Sequence, residues 1–534
     1  MQHWPLRVMR VVDHAEREHG STEIVTAWAN GSITRTNWRE IAHDGRKLAQ
    51  ALLRLGINRG DRVATLAMNH SHHMIAWYGT VGMGGILHTI NPRLFDDQLD
   101  YIANHAEDRI LFYDRAFTAI VERMKPRWKT IEHYICFDPA PGEEGFRDFI
   151  DGEDGNFTWV DGDENEPIGL CYTSGTTGNP KGVLYEHRST MLHTFAEATP
   201  DVFNLAKSSV VLPIVPMFHA NAWGLPWAAP MVGCKMVLSS DYRPDLMCRL
   251  FREEKVTHSA GVPTVWLGMI EHIERTGEDL GALQQVTIGG SAAPRAMIRW
   301  FADRNIKVGH AWGMTETSPI GTCGSRPTNW DELSKEEQLD LIAKQGRVPY
   351  GIELKIVDDD GNELPRDGQA SGRLLCRGPW VIKRYFKAEE DAADSDGWFD
   401  TGDVAAIHPD GTLQITDRSK DVIKSGGEWI SSIDLENAAV GCAGVLEAAA
   451  IGIPHPKWDE RPLLLIVRGP DSDVSADTIR SHLKQQIASW WMPDAIEFVD
   501  ELPHTATGKL SKRTLREQFS HYRFASAEAM VGRD

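Results

Sequence analysis

Several features that would suggest a specialised protein class are scarce or missing. The seven cysteines are widely spaced and form no Cys-x-x-Cys pair, which argues against a disulfide framework and predicts reduced thiols. Residues 1–10 lack the continuous apolar stretch of a secretory signal. The apolar stretch 74–90 is interrupted by glycines and too short to cross a bilayer. We therefore expect a cytoplasmic protein without a transmembrane segment, in which 74–90 forms a buried helix and its exit.

Positive charge is also scarce. The 76 acidic residues outnumber the 56 basic ones, for a formal net charge of -20, and no long run of like charges occurs. Nucleic acid is therefore not expected as a partner. If an acidic chain binds phosphate-bearing molecules, it must gather lysines, arginines and backbone N–H groups locally, because its overall field repels anions.

The remaining composition is that of an ordinary globular protein, with 42% hydrophobic and 25% charged residues. A chain of 534 residues exceeds what one hydrophobic core serves, so we expect more than one domain. Helix-period segments alternate with short β-rich runs in the first part; examples are the amphipathic segment 38–55 and the strand-like segment 62–68. This pattern predicts an α/β fold of helix-covered sheets.

The sequence pattern changes near residue 351 to one that predicts short strands separated by Asp-Gly turns. We predict a large N-terminal domain over 1–418, with a small β subdomain over about 347–418. A hinge over 419–422 follows, and 423–534 form a smaller, mobile C-terminal α/β domain.

The most informative motif is Tyr172-Thr-Ser-Gly-Thr-Thr-Gly-Asn-Pro-Lys-Gly182. Its glycines let backbone N–H groups approach an anion, its hydroxyls donate further hydrogen bonds, and Lys181 supplies positive charge, so phosphate is the expected ligand. The spacing is not that of a Walker A loop. The alternative reading is a flexible surface loop.

Other motifs follow this loop along the chain. They are Pro216-Met-Phe-His-Ala-Asn-Ala-Trp223, Gly261-Val-Pro-Thr264, Gly289-Gly-Ser-Ala-Ala-Pro294, Trp312-Gly-Met-Thr-Glu-Thr317, Trp398-Phe-Asp-Thr-Gly-Asp403, Asp417-Arg418 and Pro503-His-Thr-Ala-Thr-Gly-Lys509. In this order they resemble the signatures of the adenylate-forming superfamily of acyl-CoA synthetases, luciferases and peptide-synthetase adenylation domains. The resemblance covers nearly the whole chain.

The resemblance implies an ATP site. Trp312 would stack on adenine, Asp403 and Arg418 would bind the ribose, and Glu316 with Thr173 would hold Mg²⁺. In isolation Glu316 would more often be a helix-cap acid, and Asp403 with Arg418 an ordinary surface ion pair. The implied ATP-binding residues are Thr173, Ser174, Gly175, Thr176, Thr177, Gly178, Lys181, Gly290, Ser291, Ala292, Ala311, Trp312, Gly313, Met314, Thr315, Asp403 and Arg418.

The resemblance also assigns the catalytic and hinge residues. Lys509 would be catalytic, bridging the carboxylate and the α-phosphate; in isolation it would be a solvated tail charge. Lys420 would be the hinge that withdraws Lys509 and presents another face for the coenzyme A step. That face would comprise Lys424, Gly426, Gly427, Glu428 and Trp429. The alternative interpretation of this segment is a glycine-rich interdomain turn.

The acid would lie beside the 216–224 motif. By resemblance, His219 would lie near the substrate carboxylate, and Trp223 and Gly290 would line the acyl pocket, with Trp223 in a position to gate it. A core histidine is the alternative for His219. The run His70-Ser-His-His73 has no clustered acid or thiol to complete a metal site, so we interpret it as surface or interface.

The implied function is that of an AMP-forming acid–CoA ligase using ATP, Mg²⁺ and coenzyme A. Within the superfamily the chain most resembles bacterial medium- and long-chain fatty acyl-CoA ligases and 3-(methylthio)propionyl-CoA ligases, so a short- to medium-chain acid is the expected substrate. The alternatives are a long-chain fatty acyl-CoA synthetase, an amino-acid adenylating enzyme and a catalytically inactive nucleotide-binding protein. Family members often form homodimers, and we expect one here.

Overall fold

The computed structural model describes residues 1–173, 179–426, 428–470, 472–504 and 510–524. Its helices are α1 Met9–His19, α2 Trp38–Arg54, α3 Ser71–Gly82, α4 Asp96–Ala106, α5 Thr118–Met124, α6 Phe146–Asp151, α7 His187–Glu197, α8 Leu225–Val232, α9 Pro244–Glu253, α10 Pro263–Thr276, α11 Arg295–Ala302, α12 Lys335–Ala343, α13 Ser432–Val440, α14 Ala476–Leu483 and α15 Lys512–Gln518.

The strands are β1 Glu23–Ala27, β2 Ile33–Asn37, β3 Arg62–Leu66, β4 Ile86–Thr89, β5 Asp108–Tyr113, β6 His133–Cys136, β7 Pro167–Tyr172, β8 Gly182–Glu186, β9 Val210–Pro213, β10 Lys235–Ser239, β11 His258–Gly261, β12 Gln285–Ile288, β13 Lys307–Gly313, β14 Ile320–Cys323, β15 Glu353–Val357, β16 Ser371–Arg377, β17 Phe399–Ile407, β18 Leu413–Arg418, β19 Ile423–Ser425, β20 Glu428–Ile430, β21 Val445–His455, β22 Asp459–Arg468 and β23 Ala495–Phe498.

Two mainly parallel sheets form the large domain. One has the order β14-β13-β12-β11-β9-β10-β1-β2, and the other has the order β6-β5-β3-β4-β7-β8. Within the described strands of these two sheets, antiparallel pairing occurs only at the sheet ends, between β13 and β14, β1 and β2, and β7 and β8. Parallel strands place the loops that follow them at one sheet edge, where ligands bind in open α/β sheets. The predicted α/β class is confirmed.

Helices α2 and α3 show how the sequence builds the layer against these sheets. The side chain of Asn37 caps α2 by accepting a hydrogen bond from the Glu40 N–H at 3.0 Å. Helix α3 packs against α2 at Gly79, where a Cβ would lie 2.7 Å from the Leu48 Cβ. The predicted buried helix within 74–90 is confirmed, and β4 is its exit. No helix in the described ranges is both long and apolar enough to span a membrane.

The histidine run at the start of α3 corrects one expectation. His70 and His73 are fully buried rather than exposed. His70 Nε2 lies 2.7 Å from Asp114 Oδ1, and His73 contacts the Met68 carbonyl at 2.8 Å through Nδ1. Burial lowers the pKa of His73 to about 3. The surface interpretation was wrong because the start of α3 is buried, and the ring nitrogens of these histidines form hydrogen bonds with Asp114 and a backbone oxygen there.

The remaining two sheets are smaller. Strands β15-β16-β17-β18 form an antiparallel sheet, in which Asp410-Gly411 turns β17 into β18; this is the expected β subdomain. The C-terminal part has the sheet β20-β19-β22-β21, with β23 parallel to β22 and helices α13 to α15 around it. Its core is a separate cluster of buried residues that includes Ile430, Leu435 and Leu464.

Candidate active site

A cavity of about 680 Å³ lies where the ends of the large-domain strands meet the β subdomain. The register of the sheets explains why distant motifs converge there. Ile288 pairs with His310 in parallel strands, so Gly289-Gly290 and the segment 311–313 emerge side by side. Tyr172 pairs with Gly182, so β7 and β8 hold the two ends of the glycine- and hydroxyl-rich segment side by side.

Most of the predicted site residues that the structure describes line this cavity. They are Thr173, Lys181, His219, Trp223, Gly290, Ala311, Trp312, Gly313, Met314, Thr315, Glu316 and Arg418. Asp403 lies directly behind the lining and contacts two of these residues. Ser291 and Ala292 follow β12 but are not among the lining residues.

Other predicted residues lie away from the cavity or outside the described ranges. Lys420, Lys424 and Gly426 lie at the junction with the C-terminal part, and Lys420 and Lys424 are exposed. Ser174, Gly175, Thr176, Thr177, Gly178, Gly427 and Lys509 lie outside the described residues, as do the side chains of Glu428 and Trp429.

Asp403 joins two other predicted residues through its carboxylate. The Trp312 Nε1–H donates to Asp403 Oδ2 at 2.8 Å, and Arg418 Nε lies 3.3 Å from Oδ1. Asp403 and Arg418 are partners in the β17–β18 register. The Asp403 side chain is 7% exposed whereas that of Arg418 is 40% exposed, so a buried carboxylate pairs with a partly exposed cation at the cavity wall. An ordinary surface ion pair does not describe it.

Tyr385 is a site residue that the sequence motifs did not reveal. Its hydroxyl donates to Glu316 Oε1 at 2.8 Å, and the Lys181 ammonium lies 4.8 Å from its ring centroid. Burial and the neighbouring Glu316 raise the pKa of Tyr385, so the phenol stays a protonated donor. One aromatic ring thus links Lys181, which is predicted to bind phosphate, to the acid predicted to hold a metal.

The residues around Glu316 fit a magnesium ion chemically. Glu316 is largely buried yet lines the cavity, and Thr173 lines the same cavity. Their carboxylate and hydroxyl oxygens are hard ligands of the kind Mg²⁺ takes together with phosphate oxygens.

The segment carrying Trp223 has unusual backbone geometry. Ala220, Asn221, Ala222 and Trp223 have φ between 42° and 56°, and Gly224 follows at 86°. Left-handed backbone costs a non-glycine residue roughly 1–2 kcal/mol, so such a turn persists only where its surroundings fix it. The Trp223 ring lies close to Gly289, where a Cβ would be 3.3 Å from Trp223 Cη2.

A buried polar network joins the two parts of the chain beside the predicted hinge. Asp417, in β18, accepts hydrogen bonds from the Ser432 N–H at 2.7 Å and the Ser432 hydroxyl at 2.6 Å. Lys512, at the start of α15, contacts the Ser432 hydroxyl and lies 2.8 Å from Glu436 Oε1. Burial raises the pKa of Glu436 to about 7. The network therefore holds one orientation of the C-terminal part.

Sequence comparison agrees with this geometry. A model of AMP-binding enzymes matches residues 12–386, and a model of the AMP-binding enzyme C-terminal domain matches residues 434–509. The chain belongs to the AMP-binding enzyme family.

Individual members of the family are similar over almost the full length. The 3-methylmercaptopropionyl-CoA ligase of Ruegeria lacuscaerulensis is 47% identical over 525 residues, covering 96% of this chain and 97% of the relative. The medium-chain-fatty-acid–CoA ligase of Ectopseudomonas oleovorans is 44% identical over 530 residues, covering 97% of each chain. The expected enzyme class is confirmed: this AMP-binding enzyme is an AMP-forming acid–CoA ligase.

The fold matches solved structures as well. The anthranilate CoA ligase AuaEII in complex with anthranoyl-AMP superposes with a TM-score of 0.86, covering 96% of this chain and 98% of that one. Its 24% sequence identity supports the fold assignment alone.

Proposed function

We propose that this ligase activates a short- to medium-chain carboxylic acid, such as 3-(methylthio)propionate, and transfers it to coenzyme A. The observation that carries the proposal is the buried Trp223 ring beside Gly289 in a cavity of about 680 Å³. That cavity would hold the nucleotide together with the acid, and the bulky Trp223 ring would limit the space left for the acyl chain. The identity to 3-methylmercaptopropionyl-CoA ligase supports the same substrate class.

The nucleotide would be held at the walls just described. Trp312 would face the adenine, and the Asp403 carboxylate with Arg418 would bind the ribose hydroxyls. Lys181 and the hydroxyl-rich loop 173–178 would bind the phosphates. Arg418 is half-exposed, so its guanidinium can move from Asp403 to a ligand.

Mg²⁺ would be held by Glu316 and Thr173 with phosphate oxygens. When bound, the ion neutralises charge on the phosphates. Within the protein, Tyr385 would keep the Glu316 carboxylate directed into the cavity, because its hydroxyl donates to one carboxylate oxygen.

The first step joins the acid to AMP. A carboxylate oxygen attacks the α-phosphorus, the bond to the β-phosphate oxygen breaks, and pyrophosphate leaves. The acid carboxylate would lie near His219, with its chain passing Trp223 and Gly290. Lys509, outside the described residues, would bridge the two reacting anions and offset their repulsion.

The second step needs a rearranged site. We propose that the part after the hinge 419–422 rotates, which withdraws Lys509 and brings the face with Lys424, Gly426, Gly427, Glu428 and Trp429 to the acyl-adenylate. The coenzyme A sulfur then attacks the acyl carbon and AMP leaves. Lys420 is exposed, which leaves its side chain free to move, and the rotation would break the hydrogen bonds between Asp417 and Ser432.

A matched pair of acids tests the proposed substrate. Pentanoate has the same chain length as 3-(methylthio)propionate, with a methylene in place of sulfur. We expect kcat/KM from AMP formation to be highest for these two acids and to fall for palmitate. A preference for palmitate would favour the long-chain alternative.

The Lys509 role has its own test. Lys509→Ala should abolish acid-dependent pyrophosphate release while still converting supplied acyl-adenylate and coenzyme A to thioester. Loss of both steps would contradict a role confined to adenylation. Homodimer formation stays a prediction, for which light scattering of the purified protein is the check.

A further inference from the structure

The left-handed turn 220–224 needs structural support, because its four non-glycine residues adopt backbone angles they rarely occupy. On one side the Thr89 hydroxyl lies 3.5 Å from the Asn221 Oδ1. The other support lies under Gly224. It comes from the end of α7, a helix that none of the site motifs includes.

Glu197 and His193 fill the space directly beneath Gly224. A Cβ on Gly224 would overlap Glu197 Oε2 and lie 2.8 Å from His193 Cε1. Both side chains are buried, with Glu197 fully inaccessible to solvent. Only a glycine lets the turn sit this close to the two side chains, and its φ of 86° is also one that favours glycine.

His193 is fixed in orientation and protonation. The Ile320 N–H donates to His193 Nε2 at 3.3 Å, so Nδ1 carries the proton and faces Glu197 Oε2 at 3.5 Å. The ring also meets Trp380 edge-on at 5.9 Å between centroids. Burial lowers the pKa of His193 to about 3, so the ring is neutral at physiological pH.

The Glu197 carboxyl group is buried in a position that is unfavourable for the stability of the fold. Within the described part of the chain, neither of its oxygens accepts a hydrogen bond, and burial raises its pKa well above the usual range. A buried polar group without hydrogen bonds destabilises a fold. Glu197 does not line the cavity, yet its carboxyl group lies against the turn that carries Trp223.

We propose that Glu197 and His193 are positioning residues that determine acid specificity. They support the turn 220–224 from below and thereby hold the Trp223 ring beside Gly289, where it limits the length of the acid. This inference rests on the proposed function, because it assigns the mechanism of chain-length selection to the same pocket.

The test compares decanoate with pentanoate in wild type, Glu197→Ala and Glu197→Gln. Glu197→Ala removes the support, so we expect its decanoate-to-pentanoate ratio of kcat/KM to rise about tenfold while the KM for ATP changes less than about twofold. Glu197→Gln keeps the shape and should restore the wild-type ratio. Glu186→Ala, an acid just before the other end of α7, is the matched control and should also keep that ratio.

Two kinetic outcomes would overturn the proposal. An unchanged ratio in Glu197→Ala would show that the carboxyl does not act on Trp223. An equal loss of kcat/KM for both acids would show a merely structural role.

A crystal structure of Glu197→Ala gives a readout that does not depend on activity. We expect the Trp223 ring to leave Gly289 and residues 220–223 to lose their positive φ angles. An unchanged turn would refute the inference even if wild type activated none of the acids, a result that by itself would refute only the proposed function.

If Glu197→Ala does not fold, Gly224→Ala tests the same contact. Its methyl group overlaps the Glu197 carboxyl, so the turn must move and the acid ratio must change. Retention of the wild-type ratio and turn in Gly224→Ala would contradict the proposal.

Discussion

At the scale of single residues, the cavity walls are held by contacts among the side chains that line it. Trp312 donates to Asp403, Arg418 lies beside the same carboxylate, and Tyr385 donates to Glu316. These contacts orient charged groups before any ligand arrives, which lowers the cost of organising them during the reaction.

Removing one hydroxyl tests the most consequential of these contacts. Tyr385→Phe keeps the ring beside Lys181 and deletes only the donor to Glu316. A hydrogen bond to a charged group is worth about 1.5–3 kcal/mol, so kcat/KM for ATP should fall roughly tenfold or more. Steady-state pyrophosphate release at saturating Mg²⁺ and acid is the measurement.

The outcome separates two roles for Tyr385. A fall in kcat/KM for ATP, with the melting temperature nearly unchanged, would match an effect on Glu316. Wild-type kinetics in Tyr385→Phe would show that the hydrogen bond does not serve catalysis.

Some of these residues can be located from the sequence and others cannot, for a physical reason. Glu316, Asp403 and Lys181 lie in a strand or close to one end of it, within motifs that are continuous in the sequence. Tyr385 and Glu197 belong to no such motif, and they reach the site because distant segments pack against it. The positive φ angles of 220–223 left no signal in Ala-Asn-Ala-Trp, because only Gly224 favours that conformation.

At the scale of secondary-structure elements, β18, α13 and α15 meet in the polar network of Asp417, Ser432, Glu436 and Lys512. The helix and strand pattern of the large domain could be read from the sequence, since amphipathic periods and Asp-Gly turns are local. The burial of the histidine run 70–73 could not be read from the sequence, because it depends on which strand packs over α3.

Lys512→Met tests the network. Lys512 is 8% exposed and provides a countercharge to the buried Glu436 and Asp417, so its loss leaves buried acids without one. We expect the stability of the C-terminal part to fall by about 3–5 kcal/mol at pH 8. Thermal unfolding followed by circular dichroism is the measurement, with the exposed Lys484→Met as control.

The pH dependence of this effect has a definite sign. The pKa of Glu436 is raised to about 7 in the folded protein, so its contribution to stability is present below about pH 4.3 and is lost as pH rises through 7. Without Lys512 the pKa should rise further and the loss should steepen. The destabilisation should therefore be smaller at pH 5.5 than at pH 8, and an equal or larger effect at pH 5.5 would contradict the assignment.

At the scale of the whole molecule, one cavity must support two reactions, and the junction near 419–422 is where the two parts can change orientation. Lys420→Pro fixes the backbone φ at the proposed hinge. We expect single-turnover adenylate formation to stay within about threefold of wild type, while thioester formation falls by about 100-fold. Lys420→Ala is the control that removes the side chain and leaves the backbone free.

Equal loss of both half-reactions in Lys420→Pro would argue against a hinge at this residue. The change in sequence pattern near residue 351 and the resemblance to the adenylate-forming superfamily predict the domain division at this position. The buried residues from 423 onward form a core that is separate from the core clusters of the large domain.

We propose that the pocket of this acid–CoA ligase favours short- to medium-chain acids. The most direct measurement is kcat/KM from AMP formation with ATP, Mg²⁺ and coenzyme A, across 3-(methylthio)propionate, butyrate, octanoate and palmitate. We expect a maximum among the first three acids and a value at least tenfold lower for palmitate, because the Trp223 ring would limit the length of the acyl chain. A maximum at palmitate, or no AMP with any of the acids, would contradict it.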